Sequence, residues 1–177
     1  MLIIIINHQV KGTHLLGGYL HYELIGQSQY KITVTLMLDP ASGVRGGSGT
    51  IDFGDGQKQT NNFEFTLRDG TTGFNIVTVS TTHQYNSFGT FEISYTEQNY
   101  SPLINNLPSI QPFFIAATIV NETFVGQNQS PVLQLFNTQR GISGVAQRIN
   151  TAAYDEDGDS LAYNIIVPRI SKNRLIP

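Results

Sequence analysis

From Tyr19 onward, apolar residues recur at every second position, and no 3.6-residue period persists over ten positions. Tyr30, Ile32, Val34, Leu36 and Leu38 alternate with Lys31, Thr33, Thr35 and Met37, so one face of an extended chain carries an apolar row. Residues 19–24 supply its hairpin partner, turning through Gly26-Gln27-Ser28, and Asp39-Pro40 stops the second strand because proline lacks a ladder donor. A glycine-rich loop is expected over 41–49. Further strands are predicted at 50–53, 63–67, 74–79, 90–96 and 113–120, with Asp69-Gly70 as a hairpin turn. The last of these is apolar on both parities, which predicts a central strand covered on both faces. Residues 100–112 carry three prolines and read as a long connection. Short strands with Gly, Pro and Asn punctuation predict an all-β fold, an Ig-like antiparallel β-sandwich.

Near Gln127-Asn128-Gln129-Ser130-Pro131 the character of the chain changes, which divides it into residues 1–12, 13–126 and 127–177. The last part predicts strands at 146–153 and 161–167 with an acidic turn between them. It is shorter than the roughly 100 residues of a complete sandwich, so a partial second β domain is expected. The opening Met1-Leu2-Ile3-Ile4-Ile5-Ile6 is too short for the roughly 20 apolar residues of a membrane span, so no membrane insertion is expected. Residues 1–12 read either as a signal-peptide remnant or as a disordered N-terminus or ordinary first strand.

Composition removes several functions. Only 13 % of residues are charged, about half the usual share, so the surface must be covered by Thr, Ser, Asn, Gln and Gly. With 10 Lys and Arg against 13 Asp and Glu, the net charge of −3 leaves no basic stripe for a phosphate backbone, and no nucleic-acid partner is expected. The absence of cysteine excludes thiol catalysis, thiolate zinc sites and disulfides.

Two separated tracts carry a family resemblance. Ile51-Asp52-Phe53-Gly54-Asp55-Gly56, followed by Thr82-His83-Gln84-Tyr85-Asn86-Ser87-Phe88-Gly89-Thr90-Phe91, resembles the signature ends of a polycystic-kidney-disease-type (PKD) domain, an extracellular β-sandwich. Thr13-His14-Leu15-Leu16-Gly17-Gly18-Tyr19-Leu20-His21-Tyr22 is similar to the mature start of Bacteroidota surface proteins of the gliding-motility-associated, type IX secreted class. Gln111-Pro112-Phe113-Phe114-Ile115 and Asn128-Gln129-Ser130-Pro131-Val132-Leu133 continue that similarity, which departs at Asp39-Pro40, where the family has Asp-Cys. Ala153-Tyr154-Asp155-Glu156-Asp157-Gly158-Asp159-Ser160-Leu161-Ala162-Tyr163 is similar to a hairpin of cadherin-like repeats. These resemblances imply a secreted or outer-cell-surface protein, and in the cadherin-like case calcium held by carboxylates between domains.

Asp155, Asp157 and Asp159 place three carboxylates within five residues, suited to calcium, with a solvated hairpin tip as the alternative. An EF-hand is excluded, because Gly158 and Ile166 stand at the wrong places in its loop. Asp52 and Asp55, flanking Gly54 and Gly56, predict a tight turn in which carboxylates cap N–H groups. His8, His14, His21 and His83 lack zinc spacing, and His83 is expected to order the turn before the strand at Thr90. Gly46-Gly47-Ser48-Gly49-Thr50 and Gly141-Ile142-Ser143-Gly144-Val145 each fail the nucleophile-elbow pattern, and Glu64, Glu92 and Glu97 have no cleft-forming sequence around them. No catalytic residue is expected. Among Phe63, Phe65, Phe74, Phe88, Phe91, Tyr95 and Tyr100, most alternate as core residues, and some are left as a platform for sugar rings.

The expected function is therefore non-catalytic: a structural or adhesive module of a bacterial cell-surface protein, with a surface protein or a polysaccharide as ligand. The alternative is a carbohydrate-binding accessory module of an extracellular polysaccharide hydrolase.

Overall fold

A computed structural model describes residues 15–40, 48–60, 64–68, 75–98, 111–122, 128–133, 144–146 and 153–176. Among these residues eight strands form the sandwich: β1 (Leu15–Gly26), β2 (Gln29–Leu38), β3 (Thr50–Asp52), β4 (Lys58–Thr60), β5 (Glu64–Arg68), β6 (Asn75–Gln84), β7 (Gly89–Glu97) and β8 (Phe113–Asn121). They lie in two antiparallel four-stranded sheets, ordered β1-β2-β6-β5 and β4-β3-β7-β8. No helix occurs among the described residues, and none there is long and apolar enough to cross a membrane. The all-β, Ig-like sandwich expected from the alternation is the fold.

The alternation in β2 does what its period dictates. Tyr30, Ile32, Val34, Leu36 and Leu38 are buried while their neighbours are half-exposed. Val34 pairs with Val79 and Leu36 with Val77 in the ladder to β6, so both strands send apolar side chains to one face. Ile51, Phe53, Ile93, Tyr95, Phe113 and Ile119 meet them from the other sheet. Each fully buried aliphatic side chain contributes about 1.5–3 kcal/mol over an exposed one, so this shared layer dominates the stability of the unit.

Two strand expectations are corrected. The strand at 113–120 is not central: β8 lies at the edge of its sheet. Its second apolar face has a different cover, because Arg169 lies over the ring of outward-facing Phe114 at 4.9 Å. The strand predicted at 161–167 is not formed; that segment has no ladder partner among the described residues, and Ile165, Ile166 and Val167 are exposed. Apolar content favours a strand only where a second strand is at hand to receive its backbone groups. The strand expected at 146–153 falls mostly outside the described residues.

Among the described residues beyond 127 two small ladders occur, β9 (Val132–Leu133) with β10 (Ala153–Tyr154) and β11 (Arg169–Ser171) with β12 (Arg174–Leu175). Side chains tie both ladders' segments to the sandwich. Ser130 donates its N–H to Tyr22 O at 3.2 Å and accepts the Tyr22 N–H on its Oγ at 2.8 Å, so it satisfies the free edge of β1. Arg169 bonds Glu92 of β7 at 3.0 Å, and Lys172 bonds Asp52 of β3 at 3.2 Å.

Candidate functional site

The Asp-Phe-Gly-Asp-Gly tract leaves β3 as a tight turn. Asp52 Oδ1 accepts the Gly54 N–H at 2.9 Å, Asp55 Oδ1 accepts the Gln57 N–H at 3.0 Å, and the Phe53 N–H reaches Gln57 O at 3.0 Å. Gly54 has φ +85°, and a Cβ there would stand 2.7 Å from the Glu92 carbonyl oxygen. The turn therefore needs glycine both for its backbone conformation and for its closeness to β7.

This turn meets the His-x-Tyr end of β6 across the sandwich. His83 Nε2 lies 2.8 Å from Asp55 Oδ2, and both side chains are almost fully buried. The His83 ring stacks on Phe53, with centroids 3.9 Å apart and planes 4° from parallel. Tyr85 Oη donates to Phe53 O at 2.7 Å, and its ring stacks on Phe91 at 4.3 Å. Because β3 and β6 belong to different sheets, these contacts form an inter-sheet clamp. His83 packs edge-on against Tyr85 at the head of the turn it is expected to order, at 4.7 Å between centroids, and fastens the Asp52–Gly56 turn as well.

Electrostatics follow from that burial. Desolvation by itself pushes the Asp55 carboxyl up, but the Gln57 N–H and the His83 ring outweigh it and hold the group below its ordinary value. Asp52 behaves alike: burial opposes, while the Gly54 N–H, Lys58 and Lys172 together pull it down. The Tyr85 hydroxyl is pushed far up, first by burial and then by the negative Asp55 beside it.

Other acidic and imidazole groups among the described residues are also engaged. Glu97, on the inward face of β7, accepts the Tyr95 hydroxyl and the Ser48 hydroxyl, the latter at 3.3 Å. Glu92 faces outward on the same strand and holds Arg169, so the two carboxylates point to opposite faces. The side chain of Glu64 lies outside the described residues. Sequence reasoning missed one cluster: Ser130 Oγ is 2.7 Å from His21 Nδ1, whose Nε2 is 3.2 Å from Glu23 Oε1. The order serine, histidine, acid is that of a hydrolase relay, but Ser130 is 5 % exposed and its oxygen already receives the Tyr22 N–H. Pro131 follows it and has no N–H to offer an oxyanion. The cluster is an edge cap. His8 and His14 lie outside the described residues.

The expected calcium ligands sit at a hairpin tip. Asp155 Oδ1 accepts the N–H groups of Asp157 at 2.9 Å and Asp159 at 3.3 Å, with Gly158 at φ +83° closing the turn. Asp157 Oδ2 accepts the Gln129 N–H at 2.5 Å. Among the described residues, no three His, Asp or Glu side chains are grouped to hold a metal ion. Asp155 Oδ1 and Asp157 Oδ2 thus serve as acceptors for local N–H groups.

Among the described residues, an open cleft lies at the end of the sandwich where the β1–β2 and β6–β7 turns meet. Gln27, Ser28, Gln29, Asn86, Ser87 and Phe88 line a cleft of 540 Å³. Phe88 is 59 % exposed, whereas Tyr95 is fully buried and Phe91 packs against the core. Phe63, Phe74 and Tyr100 lie outside the described residues, as does the side chain of Phe65. Neither half of this cleft signals itself in sequence, because the turns that form it are 57 residues apart at the Gln27–Gln84 bond. Comparison with protein-family models, characterised proteins and solved structures finds no match to this chain.

Proposed function

We propose that this chain is a non-catalytic extracellular module of a bacterial cell-surface protein, with a structural and adhesive role. The observation that carries the reading is the fate of the reactive groups. Asp52, Asp55 and His83 hold one sheet to the other or to the C-terminal hairpin, Glu97 is buried beneath Tyr95, and Ser130 caps a strand edge. A scaffold that spends these groups on its own packing leaves its loop ends as the working surface. The PKD-like tracts support an extracellular setting, with secretion or display on the outer surface, and the tract from Ala153 to Tyr163 supports a cadherin-like unit within residues 127–177.

Beads coated with the purified chain test this directly. Under shear they should stay longer than albumin-coated beads on surfaces carrying bacterial envelope protein or polysaccharide. Equal retention on every surface would reject the adhesive role.

A further inference from the structure

We propose that the cleft between the β1–β2 and β6–β7 turns binds a neutral glycan, with Phe88 as the stacking face and the surrounding amides as hydroxyl partners. The proposal rests on the adhesive reading and names the ligand of that surface. Three observations carry it. The first is chemical: Gln27, Gln29 and Asn86 each offer a donor and an acceptor, Ser28 and Ser87 add hydroxyls, and no lining residue carries a formal charge. Such a lining matches a ligand dense in hydroxyl groups and offers no cation to pair with a phosphate or a carboxylate. The second is Phe88, a large apolar ring left open to solvent beside polar groups. Its face suits the C–H face of a pyranose, as aromatic faces suit other flat or apolar partners. The cleft volume lies within the roughly 300–1,000 Å³ of small-ligand sites.

The third observation is that both walls are held in place before any ligand arrives. The Tyr85 N–H bonds Ser28 O at 2.9 Å, and Gln84 Nε2 bonds Gln27 O at 2.9 Å, so the end of β6 fixes the β1–β2 turn. Buried Asn121 donates to Ser87 O at 2.8 Å and fixes the other turn. Ser28 has φ +56°, the one positive φ at a non-glycine among the described residues. Glycine would adopt that conformation with less strain, and glycine would lack the hydroxyl. A rigid, polar cleft loses little entropy on binding.

Affinity electrophoresis of the full chain through gels containing laminarin, xylan, galactomannan or hydroxyethylcellulose tests the site, with alginate as the anionic counterpart. At least one neutral polysaccharide should retard the protein, and alginate should not. Phe88→Ala should weaken that binding by about tenfold, the size of one aromatic contact, while Phe88→Trp keeps it. Phe88 is exposed, so its variants should melt with the wild type. Ser28→Gly should melt higher and bind several-fold more weakly. Retardation by no neutral polysaccharide, retardation by alginate alone, or undiminished binding by Phe88→Ala overturns the proposal. Beads that hold to envelope protein while no glycan retards the chain would sink this ligand and leave the adhesive role standing.

Discussion

His83 lies flat against Phe53, 3.9 Å between ring centroids, although the two residues come from opposite sheets. The histidine's Nε2 simultaneously meets Asp55, and Tyr85, two positions on, returns to the Phe53 carbonyl. One strand end thus grips one turn through a stack and two hydrogen bonds. The two sequence tracts that resemble a PKD signature are the two halves of this single contact, which gives a physical reason for their joint occurrence.

Breaking the clamp should be costly. Asp55→Ala leaves a buried imidazole without its partner and should lower unfolding free energy by about 2–3 kcal/mol. His83→Phe keeps a ring on Phe53 but strands Asp55, and should recover only part of the loss relative to His83→Ala. A double-mutant cycle by urea denaturation should show coupling of about 1–2 kcal/mol between Asp55 and His83. Additive single changes would place the Asp55–His83 hydrogen bond outside the clamp.

Gly54 and Gly56 share positive φ, +85° and +94°, but differ in surroundings. A Cβ at Gly54 meets the Glu92 main chain, whereas one at Gly56 meets nothing within 4 Å. Gly56→Ala should cost about 1–2 kcal/mol, the left-handed penalty alone. Gly54→Ala should cost more, because backbone of β7 must also move. Equal melting temperatures for the two variants would contradict the packing.

Stability should fall at both extremes of pH. Asp52 and Asp55 titrate below their ordinary 3.8 in the folded state, so the stability they provide is present above that value and is lost as pH falls through their folded values. Denaturation midpoints should hold from neutrality to about pH 5 and drop below it, less steeply in Asp55→Asn. Tyr22, Tyr30, Tyr85 and Tyr95 are all raised above 10.0, chiefly by burial. Their contribution is complete below pH 10 and lost above it, by about 1.4 kcal/mol per pH unit for each tyrosine that ionises only on unfolding. Following the tyrosinate absorption should show these four appearing together with unfolding.

Arg169 fastens the C-terminal hairpin by contacts to Glu92, to the Lys172 carbonyl and to the Phe114 ring. Arg169→Ala should release the hairpin while the sandwich stays folded. Hydrogen exchange reads this at the Ile176 N–H, which bonds Pro168 O. Its protection should fall by about tenfold or more, with Val34 and Val79 amides unaffected. Unchanged protection at Ile176 would show that the hairpin stands without the arginine.

The strand alternation from Tyr30 to Leu38, the stop at Asp39-Pro40 and the turn chemistry of Asp52 to Gly56 were legible in the chain, because side-chain period and capping are local properties. They sufficed for an all-β sandwich. What tertiary structure alone decided are the long-range partners: His83 for Asp55 across 28 residues, Ser130 for Tyr22 across 108, and Lys172 for Asp52 across 120. It also decided which aromatic faces water, since Phe88 and Phe91 are equally apolar and only packing separates them. The same holds for Ile165 to Val167, whose composition suits a strand that no described neighbour completes. Backbone preference is written residue by residue, whereas a hydrogen-bonding partner is a property of the assembled sheets.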